Sequence, residues 1–507
     1  SITGMKQYDI VVIGSGSANI VLDAALEQGL KCAMIEKGRF GGTCLTRGCI
    51  PTKVMVTAAD YIREIDGLSK IGVDVAPARM NWETVSRRVW QKINESNDIL
   101  AYYTTKNVDI YQGTGYFTNE KVLQVALNDG TLSEEFTADK IFIAVGSRTN
   151  IPSLAGLEEA GYITSESLFG DKYPETPYKS LVILGGGPIG TEFAHVFTAA
   201  GTKVTLAQRN TRLLPKEDEE FSAQILKDLR SFGINIVLNH IPTAVRVENG
   251  EKIVTFSDKL TSESCEVRAE EILIATGIRP NTDFLHLENT SIITDSGGWI
   301  VTNEFLETNV DGVWAFGDVN GAAPFRHKAN YEAEIVVHNL FGEQQLQDWR
   351  WARYDLIPVV TFTYPQVAHV GLTEQQAIQA GYEVLTAKHH YSSTSKGFAL
   401  GFDPGDEHDG FVKIVVDKKT NLILGAHLIG PQASILLQPF VNLMNAGETT
   451  LTPVNDHIAS KSVMELRASR MTRYLDPHSV QSISETMTPH PSLSEVIMWV
   501  RYYLEGK

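Results

Sequence analysis

The pattern that most limits what this chain can fold into is a glycine-rich turn that occurs twice, each time between an apolar strand and a helix. Tyr8–Ile13 is a short apolar run ending in Gly14-Ser15-Gly16-Ser17-Ala18-Asn19. A helix-like stretch follows to Gln28, and a second strand, Cys32–Ile35, ends at Glu36. Strand, tight turn, helix, strand and an acidic residue about twenty positions on is the order of a dinucleotide-binding βαβ unit. The glycines let backbone approach a pyrophosphate, and the helix start offers unpaired N–H groups to it. The Glu36 carboxylate suits a ribose diol. Asn19 stands where the third glycine would be, which predicts looser packing of helix on strand. The second copy runs from Leu181–Leu184 into Gly185-Gly186-Gly187-Pro188-Ile189-Gly190, then Thr191, Glu192 and a helix to Ala200. Its next strand, Lys203–Leu206, leads to Gln208-Arg209. Each copy is followed later by an apolar strand closing on glycine, Ile141–Val145 into Gly146-Ser147-Arg148 and Ile272–Thr276 into Gly277-Ile278-Arg279. One such turn often arises by chance, whereas two in matching contexts do not.

The first copy, from Gly14 to Gly146, is longer than the second, from Gly185 to Gly277, and its excess holds Cys44 and Cys49. Val313–Phe316 reads as a short strand ending at Gly317-Asp318. From about Trp351 the character changes: Val359–Phe362, Phe411–Val416 and Leu422–Ile429 read as strands, and Pro431–Asn445 and Ser492–Tyr503 as helices. The expected fold class is α/β, with two Rossmann-like dinucleotide-binding domains plus a C-terminal α+β dimerisation domain. Residues 5–155 carry the first nucleotide domain with the cysteine pair, and 156–285 the second. Residues 286–350 return to the first, and 351–507 form the C-terminal domain, with an insertion around 448–485.

The chain has 507 residues, too many for one compact core. Its formal charge of −17 disfavours nucleic acid and anionic membrane surfaces as partners. Neither a membrane-spanning run nor a signal-peptide pattern is apparent, and Ser1 to Gly4, ahead of Met5, read as an expression remnant. Four cysteines in such a length are no stapling framework and fit a cytoplasmic protein with one reactive pair. Cys32 reads as a buried small residue, and Cys265 lies in a polar stretch.

Gly41-Gly42-Thr43-Cys44-Leu45-Thr46-Arg47-Gly48-Cys49-Ile50-Pro51-Thr52-Lys53 resembles the active-site segment of the pyridine nucleotide–disulfide oxidoreductases. The likeness extends to both glycine turns, Gly317-Asp318, His327-Lys328-Ala329 and His490-Pro491-Ser492-Leu493-Ser494-Glu495. It implies FAD at the first nucleotide site, NADH or NADPH at the second, and a homodimer through the C-terminal domain. It also implies FAD contacts from Gly14, Gly16, Ser17, Glu36, Gly42, Thr43, Lys53, Gly115, Gly146, Ser147, Asp318 and His327. Gly185, Gly187, Ile189, Gly190, Glu192, Arg209 and Gly277 would serve the nicotinamide nucleotide. Thr46-Arg47 and Asn19 depart from the commoner pattern.

On an ideal helix, two cysteines five apart are separated by about 7.5 Å along the axis. A disulfide tolerates roughly 4.4–6.8 Å between Cα atoms. Cys44 should therefore precede the helix, or Gly48 should permit a distorted first turn, and a helix N-terminus lowers a thiol's pKa. A zinc half-site is the competing reading, disfavoured because no further Cys/His cluster lies close in sequence, so no metal is expected. By the resemblance, Cys49 lies against the flavin and Cys44 is the exposed sulfur that attacks the substrate. His490 is the acid/base, oriented by Glu495, and both come from the other subunit. Lys53 and Glu192 are expected to pair near the flavin. Where an NAD site presents an acid, this chain has Gln208, with Arg209 and Arg212 following, so NADPH is preferred over NADH.

The expected reaction moves electrons from NADPH through flavin and the Cys44–Cys49 disulfide to a small disulfide substrate. With no cysteine after Cys265, mercury transfer and thioredoxin reduction are disfavoured, leaving lipoamide, glutathione-like and mycothiol-like compounds. The alternatives are an NAD-linked dihydrolipoamide dehydrogenase and a flavoprotein electron-relay subunit. The stretch from Gly447 to His490 is far longer than in relatives and holds Arg467, Arg470 and Arg473. It either lines the disulfide entrance and recognises an acidic substrate, or is a surface insertion.

Overall fold

Two sheets, the first mixed around a parallel centre and the second all parallel, each opened by one of the glycine turns, frame the molecule in a computed structural model that describes residues 4–504. Residues 1–3, within the stretch read above as an expression remnant, and residues 505–507 lie outside the described part. In the first sheet Lys6–Ile13 runs between Cys32–Glu36 and Phe136–Ile143, flanked by Val108–Asn119 and Val313–Ala315. Val11, Ile13, Ala33 and Ile35 pack into one apolar layer, and Ile10, Val12, Cys32 and Met34 into the opposite one. Burial on both faces is why these strands read as continuous apolar runs rather than alternating ones. Cys32 is buried there, and burial pushes its thiol up to about 12. Cys265 is exposed on the Ser264–Ala269 strand.

The second sheet has the order Glu271–Ile274, Ser180–Leu184, Lys203–Gln208, Asn235–Leu238, all parallel. Gly14 and Gly185 take equivalent positions, with φ of 117° and 118°. A Cβ would lie 2.3 Å from Ala144 O in the first and 2.1 Å from Ala275 O in the second. At the third glycine position the copies differ. Gly190 sits so close that a Cβ would be 1.8 Å from Gly185 O. Asn19 instead donates from Nδ2 to Ser15 O at 2.8 Å, so its amide braces the turn from a wider approach.

The extra length of the first copy is helical: Gly42–Arg47, Cys49–Asp66, Trp82–Ile93 and Glu95–Thr104 all lie in one crossover between adjacent strands. The C-terminal part is a five-stranded antiparallel sheet, in the order Val359–Thr361, Val367–Gly371, Ile423–Ile429, Phe411–Asp417, Val384–His390. The expected helix over 431–445 is broken into Ala433–Leu436 and Gln438–Asn445, and the last helix spans Glu495–Leu504. Among the described residues no helix is long and apolar enough to cross a membrane.

Residues 447–475 form a hairpin, Gly447–Thr450 with Thr472–Leu475, enclosing the helix Lys461–Ala468. Leu451, Val463, Leu466 and Met471 pack on Phe305 and Trp351. The arginines expected to meet an acidic substrate are largely occupied: Arg467 pairs with buried Glu304 at 2.6 Å, and Arg473 with Glu485 at 2.6 Å. Of these three, Arg470 alone is exposed and makes no ion pair with the described residues. The segment is thus docked on its own chain by the groups that looked available from sequence.

Candidate active site

Cys44 and Cys49 belong to different helices. Cys44 lies in Gly42–Arg47, the chain turns at Gly48, and Cys49 is the first residue of Cys49–Asp66. The turn needs glycine, because a Cβ at Gly48 would sit 2.9 Å from Thr43 O. Splitting the helix shortens the separation that an ideal helix imposes. Thr46, one of the departures from the family pattern, is buried and bonds Gly42 O at 2.8 Å within the short helix.

Both thiols are free and hydrogen-bond each other. The bond from Cys44 holds the Cys49 thiol down at about 6, against the opposing effect of burial and with help from His490 and Lys53. Cys49 also stands at a helix N-terminus, where a thiolate is favoured. Cys44 moves the other way, raised chiefly by burial. Sequence reasoning made Cys44 the exposed sulfur, but it is 7% exposed, because the C-terminal tail covers it.

The cover is His490. Its Nε2 lies 3.0 Å from Cys44 Sγ, and its Nδ1 is 3.0 Å from each Glu495 carboxylate oxygen. Ser492 N donates to Glu495 Oε1 at 2.9 Å, fixing the carboxylate. His490 N donates to His327 Nδ1 at 3.2 Å, while His327 Nε2 donates to Pro358 O at 2.8 Å. His327, lowered to about 4 by burial, is therefore a neutral acceptor that ties the tail to the Arg326–Leu340 helix. Arg501 adds a pair with Glu334 at 2.7 Å. The family resemblance implied that this histidine comes from a second subunit. Within the single chain described, the ring lies against that chain's own Cys44.

Lys53 and Glu192 form the expected pair at 2.7 Å, and Lys53 Nζ stands 4.5 Å from the Phe362 ring centroid. Beside them is a group missed in the sequence: buried His195 bonds Asp60 at 2.8 Å. Asp60 and His195 are remote in sequence and carry no motif, so only the fold joins them.

The first glycine turn, the dithiol segment and the Asp318 region meet in one wall. Gly41 N donates to Ser15 Oγ at 3.1 Å, and a Cβ on Gly42 would lie 2.8 Å from Gly16 Cα. Ser17 Oγ lies 3.8 Å from a Cβ built on Gly317. Ser147 donates to Asp318 at 2.7 Å, and burial raises that carboxyl. Glu36, at its strand end, accepts from Ser15 Oγ and from Gly38 N. Thr43 is partly exposed at the start of the short helix, and Gly115 lies in Val108–Asn119 against the Ile35 side chain. Arg326, also missed, bonds Gly41 O at 3.2 Å with its guanidinium beside Gly16 and Gly42. Gly146 opens onto space, since a Cβ there would meet nothing within 4 Å. Helix-start N–H groups and a guanidinium can donate to a pyrophosphate, and the Glu36 and Asp318 carboxylates can accept from ribose and ribityl hydroxyls, so these residues fit FAD.

At the second turn, Gly187 and Gly277 likewise open onto space, and Ile189 is 40% exposed on the first turn of Pro188–Ala199. Gln208 is buried and braces the turn, accepting from Gly186 N at 3.1 Å. Of the two arginines, Arg212 is committed to Pro215 O and Glu217 O, and Arg209 is exposed at the strand end.

The family model described as pyridine nucleotide-disulphide oxidoreductase matches residues 8–334, and the model of that family's dimerisation domain matches 357–465. A mycothione reductase of Mycobacterium tuberculosis is 34% identical over 448 residues, covering 88% of this chain and 94% of that protein. A dihydrolipoyl dehydrogenase of Bacillus subtilis is 30% identical over 515 aligned positions, covering 99% and 98%. The structure is similar to that of the HOCl-induced flavoprotein disulfide reductase RclA from Escherichia coli, with TM-score 0.73, 27% identity and coverage of 97% and 98%. With the thiol pair, both glycine turns and the C-terminal sheet in place, the chain belongs to the pyridine nucleotide–disulfide oxidoreductase family and is an FAD-dependent NAD(P)H:disulfide oxidoreductase.

Proposed function

We propose that this enzyme uses NADPH to reduce a small disulfide, with Cys44 and Cys49 as the exchanging dithiol and His490 as the proton carrier. The observation that carries the reading is the unbroken line Glu495–His490–Cys44–Cys49, with 3.0 Å from Nε2 to Sγ. FAD, when bound, supplies a two-electron carrier between NADPH and the dithiol.

In the proposed cycle the reduced enzyme starts with the negative charge on Cys49, a proton on Cys44 and His490 as imidazolium, with both ring nitrogens protonated. Moving the Cys44 proton to Cys49 creates a Cys44 thiolate beside the imidazolium. That thiolate attacks one substrate sulfur, forming a mixed disulfide and expelling a thiolate, which takes the His490 proton. His490 then receives the Cys49 proton, and Cys49 attacks the Cys44 sulfur. The second thiol leaves with that proton, and a Cys44–Cys49 disulfide remains. The dithiol loses one electron pair and the substrate gains it. Glu495 holds the ring orientation and stabilises its charged form. Lys53, kept in place by Glu192, favours the Cys49 thiolate.

NADPH is preferred because Arg209 is the exposed cation where a 2′-phosphate would lie, whereas no acid is there for a ribose hydroxyl. Two relatives are named for mycothione and dihydrolipoyl groups, and this supports a small disulfide as substrate. A homodimer is supported by the dimerisation-domain match and by the last helix, whose Val496, Ile497, Trp499, Tyr503 and Leu504 are all more than half exposed.

The test is NADPH oxidation with a panel of small neutral and acidic disulfides. Cys44→Ser and Cys49→Ser should each abolish disulfide turnover while keeping bound flavin. Turnover surviving in either variant would overturn the assignment.

A further inference from the structure

Away from the dithiol, three residues remote in sequence meet where the second nucleotide domain touches the C-terminal sheet. Glu217 precedes the Glu219–Ser231 helix. His369 and His427 are direct cross-strand partners on Val367–Gly371 and Ile423–Ile429, so their side chains leave the same sheet face. One carboxylate oxygen and one ring nitrogen from each histidine lie within 4.8 Å of one another. Glu217 is 4% exposed and His427 is fully buried.

We propose that Glu217, His369 and His427 form a binding site for a late first-row divalent cation of the zinc class, joining the nucleotide domain to the C-terminal sheet. The hydrogen bonds point to this in three ways. First, His427 Nε2 donates to Leu372 O at 2.8 Å, which leaves a lone pair on Nδ1, and that buried atom has no partner. A buried polar atom left unpaired costs about 1–3 kcal/mol, and a cation would satisfy it. Second, a metal-bound histidine normally donates its other N–H to a carbonyl, as His427 does. Third, His369 Nδ1 and Glu217 share one proton across 2.7 Å, and a metal ion can replace that proton.

Charge around the site favours the same ligand. Asp218, Glu220 and Glu374 all converge on one ammonium, Lys413; among the described residues the further cations are Lys388 on Glu220 and Arg212, which donates to Glu217 O. Together with Glu217 the four carboxylates outnumber these three cations, so the surroundings are net anionic and favour a cation. Two imidazoles and a carboxylate suit zinc, leaving a fourth position for water. Ligand atoms around a zinc ion with bonds of about 2.1 Å stand roughly 3.4 Å apart, so rotamer adjustments of about an ångström close the site. None of these residues touches the dithiol machinery.

The experiment uses oxidised holoenzyme, in which Cys44 and Cys49 are tied up as a disulfide, with exposed Cys265 alkylated. The protein is stripped with chelator, titrated with zinc sulfate by calorimetry, and its metal content measured after gel filtration. The expected result is one zinc per chain and an unfolding temperature that rises with zinc concentration. His427→Gln and Glu217→Gln should each weaken binding by at least about 100-fold, with flavin content and disulfide turnover unchanged. Glu217→Gln retains a hydrogen-bond acceptor for His369, so it tests ligation without opening the interface. Zinc content below a tenth of an equivalent, or equal zinc affinity in the wild type and both folded variants, would overturn the proposal.

Discussion

Replacing Glu495 by Gln isolates the orienting role of the carboxylate. Glutamine keeps an oxygen for Ser492 N and for the His490 Nδ1–H, so the tail stays docked, but the charge disappears. A hydrogen bond to a charged group contributes about 1.5–3 kcal/mol, against about 1 kcal/mol for a neutral one. Glu495 meets His490 with both oxygens at 3.0 Å in a half-buried setting. The loss of imidazolium stabilisation is therefore about 0.5–2 kcal/mol, or roughly 2- to 30-fold in the step that protonates the departing thiol. Stopped-flow measurement separates the halves of the cycle. Reduction of the enzyme by NADPH should be unchanged, and reoxidation by a disulfide should slow by that factor. His490→Ala should slow reoxidation further, by about 10²–10⁴. Equal slowing of both half-reactions by Glu495→Gln, or no change in reoxidation, would refute the assigned role.

Further outcomes follow from the same geometry. Alkylation of Cys49 in the reduced enzyme, read by mass spectrometry, should rise with a midpoint near pH 6, since its folded pKa of about 6 lies below that of an ordinary thiol. Cys44→Ala removes the largest cause of that depression and should move the midpoint upward; an unmoved midpoint would contradict the thiol–thiol hydrogen bond. Arg209→Ala should raise KM for NADPH by about 10- to 150-fold with little effect on NADH, and equal effects would remove the argument for NADPH. Differently tagged Cys44→Ser and His490→Ala chains, co-purified as hybrids, should be inactive when each His490 serves the Cys44 it contacts within its own chain. Hybrid activity near half that of wild type would show that the tail crosses between subunits.

What could be read in the sequence was what is local. The two turns announce themselves because glycine is needed within a few residues of both strand and helix, and Cys44 and Cys49 lie within one short segment. Lys53 with Glu192 was reachable because each opens or follows a motif. The Val384–His390 strand was not, since nearly every residue in it is exposed and no apolar alternation marks it. Arg326, Asp60–His195 and the Glu217–His369–His427 group are brought together from distant segments, and no spacing rule joins them. Charges were misread for a related reason: Arg212, Arg467 and Arg473 looked free in sequence, but each is held by a carboxylate or carbonyl that only the fold supplies. Cys44 looked exposed until the tail was seen to lie over it.

The most direct test of the central claim is an anaerobic titration of the flavin-loaded enzyme with NADPH, followed by the flavin spectrum. A dithiol coupled to the flavin should let each FAD-bearing chain accept two electron pairs, the first stored with the Cys49 thiolate and the second bleaching the flavin. Cys49→Ser should accept only one. If the wild-type enzyme bleaches fully with a single pair, Cys44 and Cys49 do not take part in the electron path.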